Sequence, residues 1–247
     1  MRVLIPARLD SSRLANKLIA KIGGKEVLRL TIEGLLKQGF PAQNIIIVTD
    51  SLEIVSRVNF WGLGVKVSYR DYKATCGSQR VHQFIGSSTF YDDQVLIWQG
   101  DEIIVETGDI SLRAWFESLD PYRSYNFYTP WYEKSFIEGA VQVCGTTQVS
   151  RFSRDSSPKS DVKGLHLGIY LLQRRLFDEH SLSIWDDYQD NIEMNALLNA
   201  DVSLDLVQFV SDPKMKVVQV NTKVDLDVAR AMISGPRGLI DHCPSVQ

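Results

Sequence analysis

The chemistry of this chain is concentrated where its first apolar run gives way to a loop. Val3, Leu4 and Ile5 are too short a run for anything but a buried strand, and after Pro6 and Ala7 come Arg8, Asp10, Ser11, Ser12, Arg13 and Lys17. Two guanidinium groups can fork onto phosphate oxygens, an ammonium adds a compact charge, and two hydroxyls add donors. Such a loop suits a polyphosphate. A solvated surface loop is the plain alternative.

A second strand end carries the opposite charge. Val95-Leu96-Ile97-Trp98 runs directly into Gln99-Gly100-Asp101-Glu102. A carboxylate there suits Mg²⁺, which takes one or two protein oxygens and bridges to substrate phosphates. An Asp after Gly is also a common turn cap, so Asp101 draws its meaning from the cations it would face. Neither G-x-x-x-x-G-K-[ST] nor a G-x-G-x-x-G after the first strand is present. Neither a P-loop nor a dinucleotide fingerprint is therefore expected, and side-chain cations must hold the phosphates.

The elements around these residues read as alternating strands and helices. Lys25 to Gln38 has helical spacing and stops at Gly39; Ile45 to Val48 is a buried strand; Asp50 and Glu53 form a capping-box pattern into a helix through Val58; Val65 to Val67 is a third strand. A helix follows over Ser78 to Ile85, and another places Leu112, Trp115, Phe116 and Leu119 on one core face. Residues 124–152 are strand-like and aromatic, 155–164 read as a mobile polar loop, and Leu165 to Leu172 as a strand. A helix over Asn191 to Asn199, a strand over Val217 to Val220 and a last helix capped by Thr222 and Asp225 complete the series. Continuous apolar strands between helices predict an α/β fold with a doubly wound, mostly parallel mixed sheet, whose ligands sit at strand C-terminal ends. One domain is expected over 1–233, with 124–172 as a candidate inserted or dimerisation lobe and 234–247 as a frayed tail.

Composition narrows the partners. With 247 residues and a net charge of −3, the chain lacks the excess of Lys and Arg that a general nucleic-acid binder needs. Three cysteines without paired spacing give no zinc or disulfide framework and fit a reducing compartment. No apolar run approaches the roughly 18 residues of a membrane span, so neither export nor insertion is expected and the cytoplasm is the default.

The loops, taken in order, resemble the CMP-Kdo synthetases, within the wider sugar nucleotidylyltransferases. Ile5 to Lys17 is similar to that family's I-P-A-R-x-x-S-[ST]-R-L-x-x-K opening, with Ala15-Asn16 where a Pro-Gly is usual. Thr49-Asp50, Cys76-Gly77-Ser78-Gln79-Arg80, Gln99-Gly100-Asp101-Glu102, Phe152-Ser153-Arg154, His166-Leu167-Gly168-Ile169-Tyr170 and Ile192-Glu193 match further motifs in the same order. The resemblance implies the nucleotide-diphospho-sugar transferase fold and attack of a sugar hydroxyl on the α-phosphate of CTP, giving a CMP-sugar and pyrophosphate in a Mg²⁺-dependent homodimer. It assigns the triphosphate and its nucleoside to Pro6, Ala7, Arg8, Ser12, Arg13, Lys17, Ser78, Arg80 and Gln99, with Arg8, Lys17 and Asp101 as the catalytic set. Gln99, Arg154, His166, Tyr170 and Glu193 would face an acidic sugar or hydroxy acid.

Two departures bear on substrate. Where the family's last strand ends in V-D-T, with its Asp a metal ligand, this chain reads Val220-Asn221-Thr222, leaving an uncharged amide oxygen beside Asp101. Where a Glu-Gln-Leu-Arg run is usual after Glu193, it reads Ala196-Leu197-Leu198-Asn199, which removes groups expected to touch Kdo. A catalytically silent nucleotide-sugar-binding protein is one alternative. A glycosyltransferase on the same scaffold is another, although that class usually presents an Asp-x-Asp pair.

Overall fold

A computed structural model of the chain describes residues 1–11, 13–74, 76–88, 92–106, 111–130, 141–153, 162–180, 182–186, 194–209 and 216–234. The first strand, β1 (Val3–Ala7), is buried along its whole length and passes through Pro6 rather than ending before it. It is the parallel neighbour of β4 (Ile45–Thr49) on one side and of β6 (Gln94–Trp98) on the other, and β5 (Lys66–Tyr69) extends the parallel half beyond β4. Strands buried on both faces have no solvent side to keep polar, which explains why they read as unbroken apolar runs.

Beyond β6 the sheet turns antiparallel. The long strand β11 (Val162–Gln173) pairs with β6 through residues 169–173 and with β9 (Gln142–Gly145) through residues 162–165. Along β11 also runs β8 (Tyr125–Pro130), and β10 (Val149–Ser153) and β12 (Asp205–Gln208) complete the nine strands of this sheet among the described residues. The aromatic stretch after Ser124 is thus hydrogen-bonded into the main sheet, with Phe127 packed against Trp115 and Phe116 of α4 (Leu112–Glu117) and against Phe209. Trp131 and Tyr132 lie outside the described residues, as do 155–161 of the polar loop and 235–247 of the tail.

Helices cover both faces. Val3, Ile5 and Ala7 of β1 belong to a core with Leu28, Ile32 and Leu35 of α1 (Val27–Lys37), Ile54 and Val58 of α2 (Leu52–Trp61), and Leu226 and Ala229 of α7 (Lys223–Ser234). Leu4 belongs to a second core, with Val81 and Ile85 of α3 (Gly77–Gly86), Phe177 of α5 (Arg175–Glu179) and Leu197 of α6 (Asn195–Asn199). The alternation along one strand follows from its period of two and makes the sheet doubly wound.

Two local readings are corrected. The helix read from Lys25 begins at Val27, because Lys25–Glu26 forms a short strand, β3, paired with β2 (Lys21–Ile22). Ser51, not Asp50, caps α2: its hydroxyl accepts from the Ile54 N–H, while Asp50 turns to Arg80. The reciprocal cap read at the last helix does form, the Thr222 N–H donating to Asp225 Oδ2 and the Asp225 N–H to Thr222 Oγ1. The strand before it, β13 (Lys216–Gln219), lies outside the main sheet as the antiparallel partner of β7 (Glu102–Glu106).

Candidate active site

The cationic loop leaves β1 at Ala7 and folds back on itself, the Asn16 N–H donating to the Leu9 carbonyl at 3.2 Å. Asn16 sits at φ 57°, ψ 25°, in the left-handed region. Glycine takes that conformation freely and Asn is the best tolerated substitute, so Asn16 keeps the turn that a Gly would make before Lys17. A single 3-10 turn (Lys17–Ile19) follows. Lys17 meets Asp101 there, its ammonium in an ion pair with Oδ2 and 3.4 Å from the Asn221 Oδ1. Arg13 Nη2 reaches the same Asn221 oxygen at 2.7 Å.

Main-chain bonds hold the acidic side in place. The turn after β6 is closed by the Glu102 N–H to the Gln99 carbonyl at 3.1 Å, and the Trp98 indole N–H donates to the Glu102 carbonyl at 2.9 Å. The Val220 N–H donates to the Asp101 carbonyl at 3.0 Å, which draws the next residue, Asn221, alongside. Gln99 is wedged between two glycines: a Cβ on Gly77 would stand 3.1 Å from its Nε2, and one on Gly168 only 2.6 Å from its Cγ.

Two further walls complete the site. Arg80, in the first turns of α3, is 1 % exposed and donates from Nη2 to Asp50 at 2.6 Å, so a helix start and the end of β4 hold one cation between them. On β11, His166 Nε2 lies 3.0 Å from the Tyr170 hydroxyl with the rings stacked, and Phe152 packs edge-on to His166.

Pro6, Arg8, Arg13, Lys17, Arg80, Gln99, Asp101, His166, Tyr170 and Asn221 border one cleft that opens to solvent. Ala7 and Ser78 are buried inside β1 and α3 and do not border it. Ser12, Arg154 and Glu193 lie outside the described residues. Asp10, named in the sequence only as part of the cationic loop, and Gln219, given no role there, border the cleft as well. Gln219 ends β13, two residues before Asn221.

Glu102 carried no sequence-based role and is the most perturbed acid of the site. Fully buried, it accepts at Oε1 from the Gly168 N–H and from Gln219 Nε2, both at 2.5 Å. Burial, helped by the Asp101 charge next to it, pushes its carboxyl up to about 8.

Among the described residues no three His, Cys, Asp or Glu side chains cluster as a closed metal cage. Mg²⁺ needs none: it keeps waters and phosphate oxygens and asks the protein for one or two hard oxygens. Asp101 Oδ2 and Asn221 Oδ1, both beside the one Lys17 ammonium, are such a pair, so the residues present fit that ion.

Comparison with known proteins agrees with this geometry. Residues 2–131 match the family model described as cytidylyltransferase. The 3-deoxy-manno-octulosonate cytidylyltransferase of Colwellia psychrerythraea is 33 % identical over 110 residues, 44 % of this chain and 38 % of the relative. That of Francisella tularensis subsp. holarctica is 34 % identical over 115 residues, 46 % and 44 % of the two chains. The aligned segment therefore spans less than half of these curated relatives. Across almost the whole chain the fold is that of a CMP:2-keto-3-deoxy-manno-octonic acid synthetase solved with CTP (TM-score 0.69, 19 % identity, 94 % of this chain and 98 % of that one). The inositol-1-phosphate CTP transferase of T. maritima shares it too (TM-score 0.67, 11 % identity, 94 % of each). With more than half of its length under that family model, and its cationic loop and Asp101 on one cleft, the chain belongs to the cytidylyltransferase family.

Proposed function

We propose that this protein transfers a cytidylyl group from CTP to the hydroxyl of an acidic sugar or related hydroxy acid, releasing pyrophosphate. One observation carries the reading: Lys17 and Asp101, 84 positions apart in sequence, meet on a single cleft that Arg8, Arg13 and Arg80 also border. A triphosphate brings the negative charge that such a set of cations is built to receive.

Nucleotidyl transfer needs no covalent intermediate with the protein. It needs the nucleophile and the α-phosphate held in register, and charge neutralised where it develops on the phosphate oxygens. Arg8 and Arg13, exposed at the cleft mouth, grip the outer phosphates, and Lys17 exchanges its present partner Asp101 for a phosphate oxygen. Asp101 and Asn221 would hold Mg²⁺, which would offset charge on the phosphates. Arg80, fixed by Asp50, lies toward the nucleoside side. Gln99, His166 and Tyr170 face the acceptor, with Arg154 and Glu193 assigned there by resemblance. The acceptor is an acid rather than necessarily Kdo, because Ala196-Leu197-Leu198-Asn199 has lost the polar run of the Kdo enzymes. The working unit is a homodimer, which light scattering of the purified chain checks.

Pyrophosphate release tests the reaction. With CTP, Mg²⁺ and a panel of sugar acids, one acceptor is expected to liberate pyrophosphate, and Asp101→Ala is expected to lower that rate by about 10³-fold or more while the fold and CTP binding persist. Undiminished turnover in Asp101→Ala places the metal elsewhere. CTP binding without pyrophosphate from any acceptor favours a silent binding protein.

A further inference from the structure

We infer that Glu102 is a positioning residue: its carboxyl group ties the turn that bears Asp101 to the two strands that bear the opposite walls of the cleft, and so fixes where the metal-binding oxygens stand. The side chain is fully buried and does not border the cleft, so it acts through others. Its Oε1 receives two donors from distant segments. The Gly168 N–H belongs to β11, between His166 and Tyr170, and the Gln219 amide belongs to β13, two residues before Asn221. The Glu102 carbonyl anchors the Trp98 indole, and the Gln99 N–H returns a bond to the Gly168 carbonyl at 2.8 Å. Asp101 is the residue before Glu102, and the Val220 N–H already binds its carbonyl.

Oε1 is therefore the common acceptor at which the acid turn, the acceptor wall and the Asn221 strand end meet. Shortening the side chain by one methylene withdraws that oxygen from both donors at once. Partners of this kind, behind the groups that touch a metal, are worth about 10–100-fold in its affinity.

The inference rests on the proposed CTP and metal site, and the readout is the factor by which saturating Mn²⁺ tightens CTP binding, measured calorimetrically without any acceptor. Asp101→Ala is expected to abolish that gain; a gain equal to wild type, or none in wild type, overturns the metal site itself and this inference with it. With the site upheld, Glu102→Asp is expected to cut the gain about 10–100-fold while metal-free CTP affinity stays within about twofold. Glu102→Gln keeps both reach and an acceptor oxygen, and is expected to retain the gain within about threefold. Gln219→Leu removes one donor from the other side, and is expected to weaken the gain in the same direction even where Glu102→Asp fails to fold. A Glu102→Gln variant as damaged as Asp101→Ala shows that the charge itself matters and overturns the positioning role. Wild-type gain in Glu102→Asp or Gln219→Leu overturns it equally.

Discussion

Asn221 stands where the strand end V-D-T of the family this chain resembles would put an Asp. Its amide oxygen already accepts from Arg13 and lies close to the Lys17 ammonium, so it holds two cations without bringing charge of its own. Asn221→Asp adds the missing negative charge, and the Mg²⁺ concentration for half-maximal pyrophosphate release is expected to fall by about 3–10-fold, with an equal or higher maximal rate. A higher Mg²⁺ requirement would mean that the amide makes a contact a carboxylate cannot. At this scale the sequence was most legible for the charged loop, because Arg8, Arg13 and Lys17 are close together and their chemistry does not depend on a distant partner. Glu102 was illegible for the opposite reason: it differs from its neighbours by burial and by bonds to residues 66 and 117 positions away.

Among the elements, β11 is tightly constrained beside the site, because Gly168 leaves no room for a side chain. A Cβ there would stand 2.6 Å from Gln99 Cγ and 2.8 Å from Glu102 Oε1, so Gly168→Ala forces either the wedged Gln99 or the Glu102 anchor to move. The expected cost is about 1–3 kcal/mol, read as a lower thermal midpoint, with weaker CTP binding alongside. A variant that melts and binds like wild type contradicts the close packing described. Strands β1, β4 and β6 could be read directly because burial on both faces made them continuous apolar runs. Strand β7 could not: it follows the Gln99–Glu102 turn at once, and its partner β13 comes more than a hundred residues later. Asp50 was misassigned as a cap because the spacing rule fits it and Ser51 differs by a single position; only the pull of the buried Arg80 decides between them.

For the molecule as a whole, the second core contains a histidine whose burial works against acid tolerance. His82 of α3 accepts from the Trp185 indole at Nδ1 (3.0 Å), packs edge-on to Phe177, and is held below the ordinary imidazole range by burial. The folded state thus resists a proton that the unfolded chain takes up readily, so stability falls as pH drops from about 6.5 through the depressed folded value. His82→Gln keeps an acceptor for Trp185 but cannot titrate, and its unfolding midpoint is expected to vary less between about pH 7 and 5 than that of wild type. Equal slopes for the two proteins would show that other groups govern acid unfolding. The doubly wound arrangement followed from the alternation of apolar strands and helices. The antiparallel half, by contrast, depends on how one long strand shares its length between β9 and β6, which no local pattern announces.

If one cleft holds the triphosphate with Arg8, Arg13 and Lys17 and the metal with Asp101 and Asn221, a crystal structure of the protein with CTP and Mn²⁺ will show an anomalous Mn²⁺ peak bonded to an Asp101 carboxylate oxygen, with Lys17 moved from that carboxylate onto a phosphate. A nucleotide seated away from these residues, or Lys17 still paired with Asp101 beside a fully bound Mn²⁺·CTP, would overturn this site.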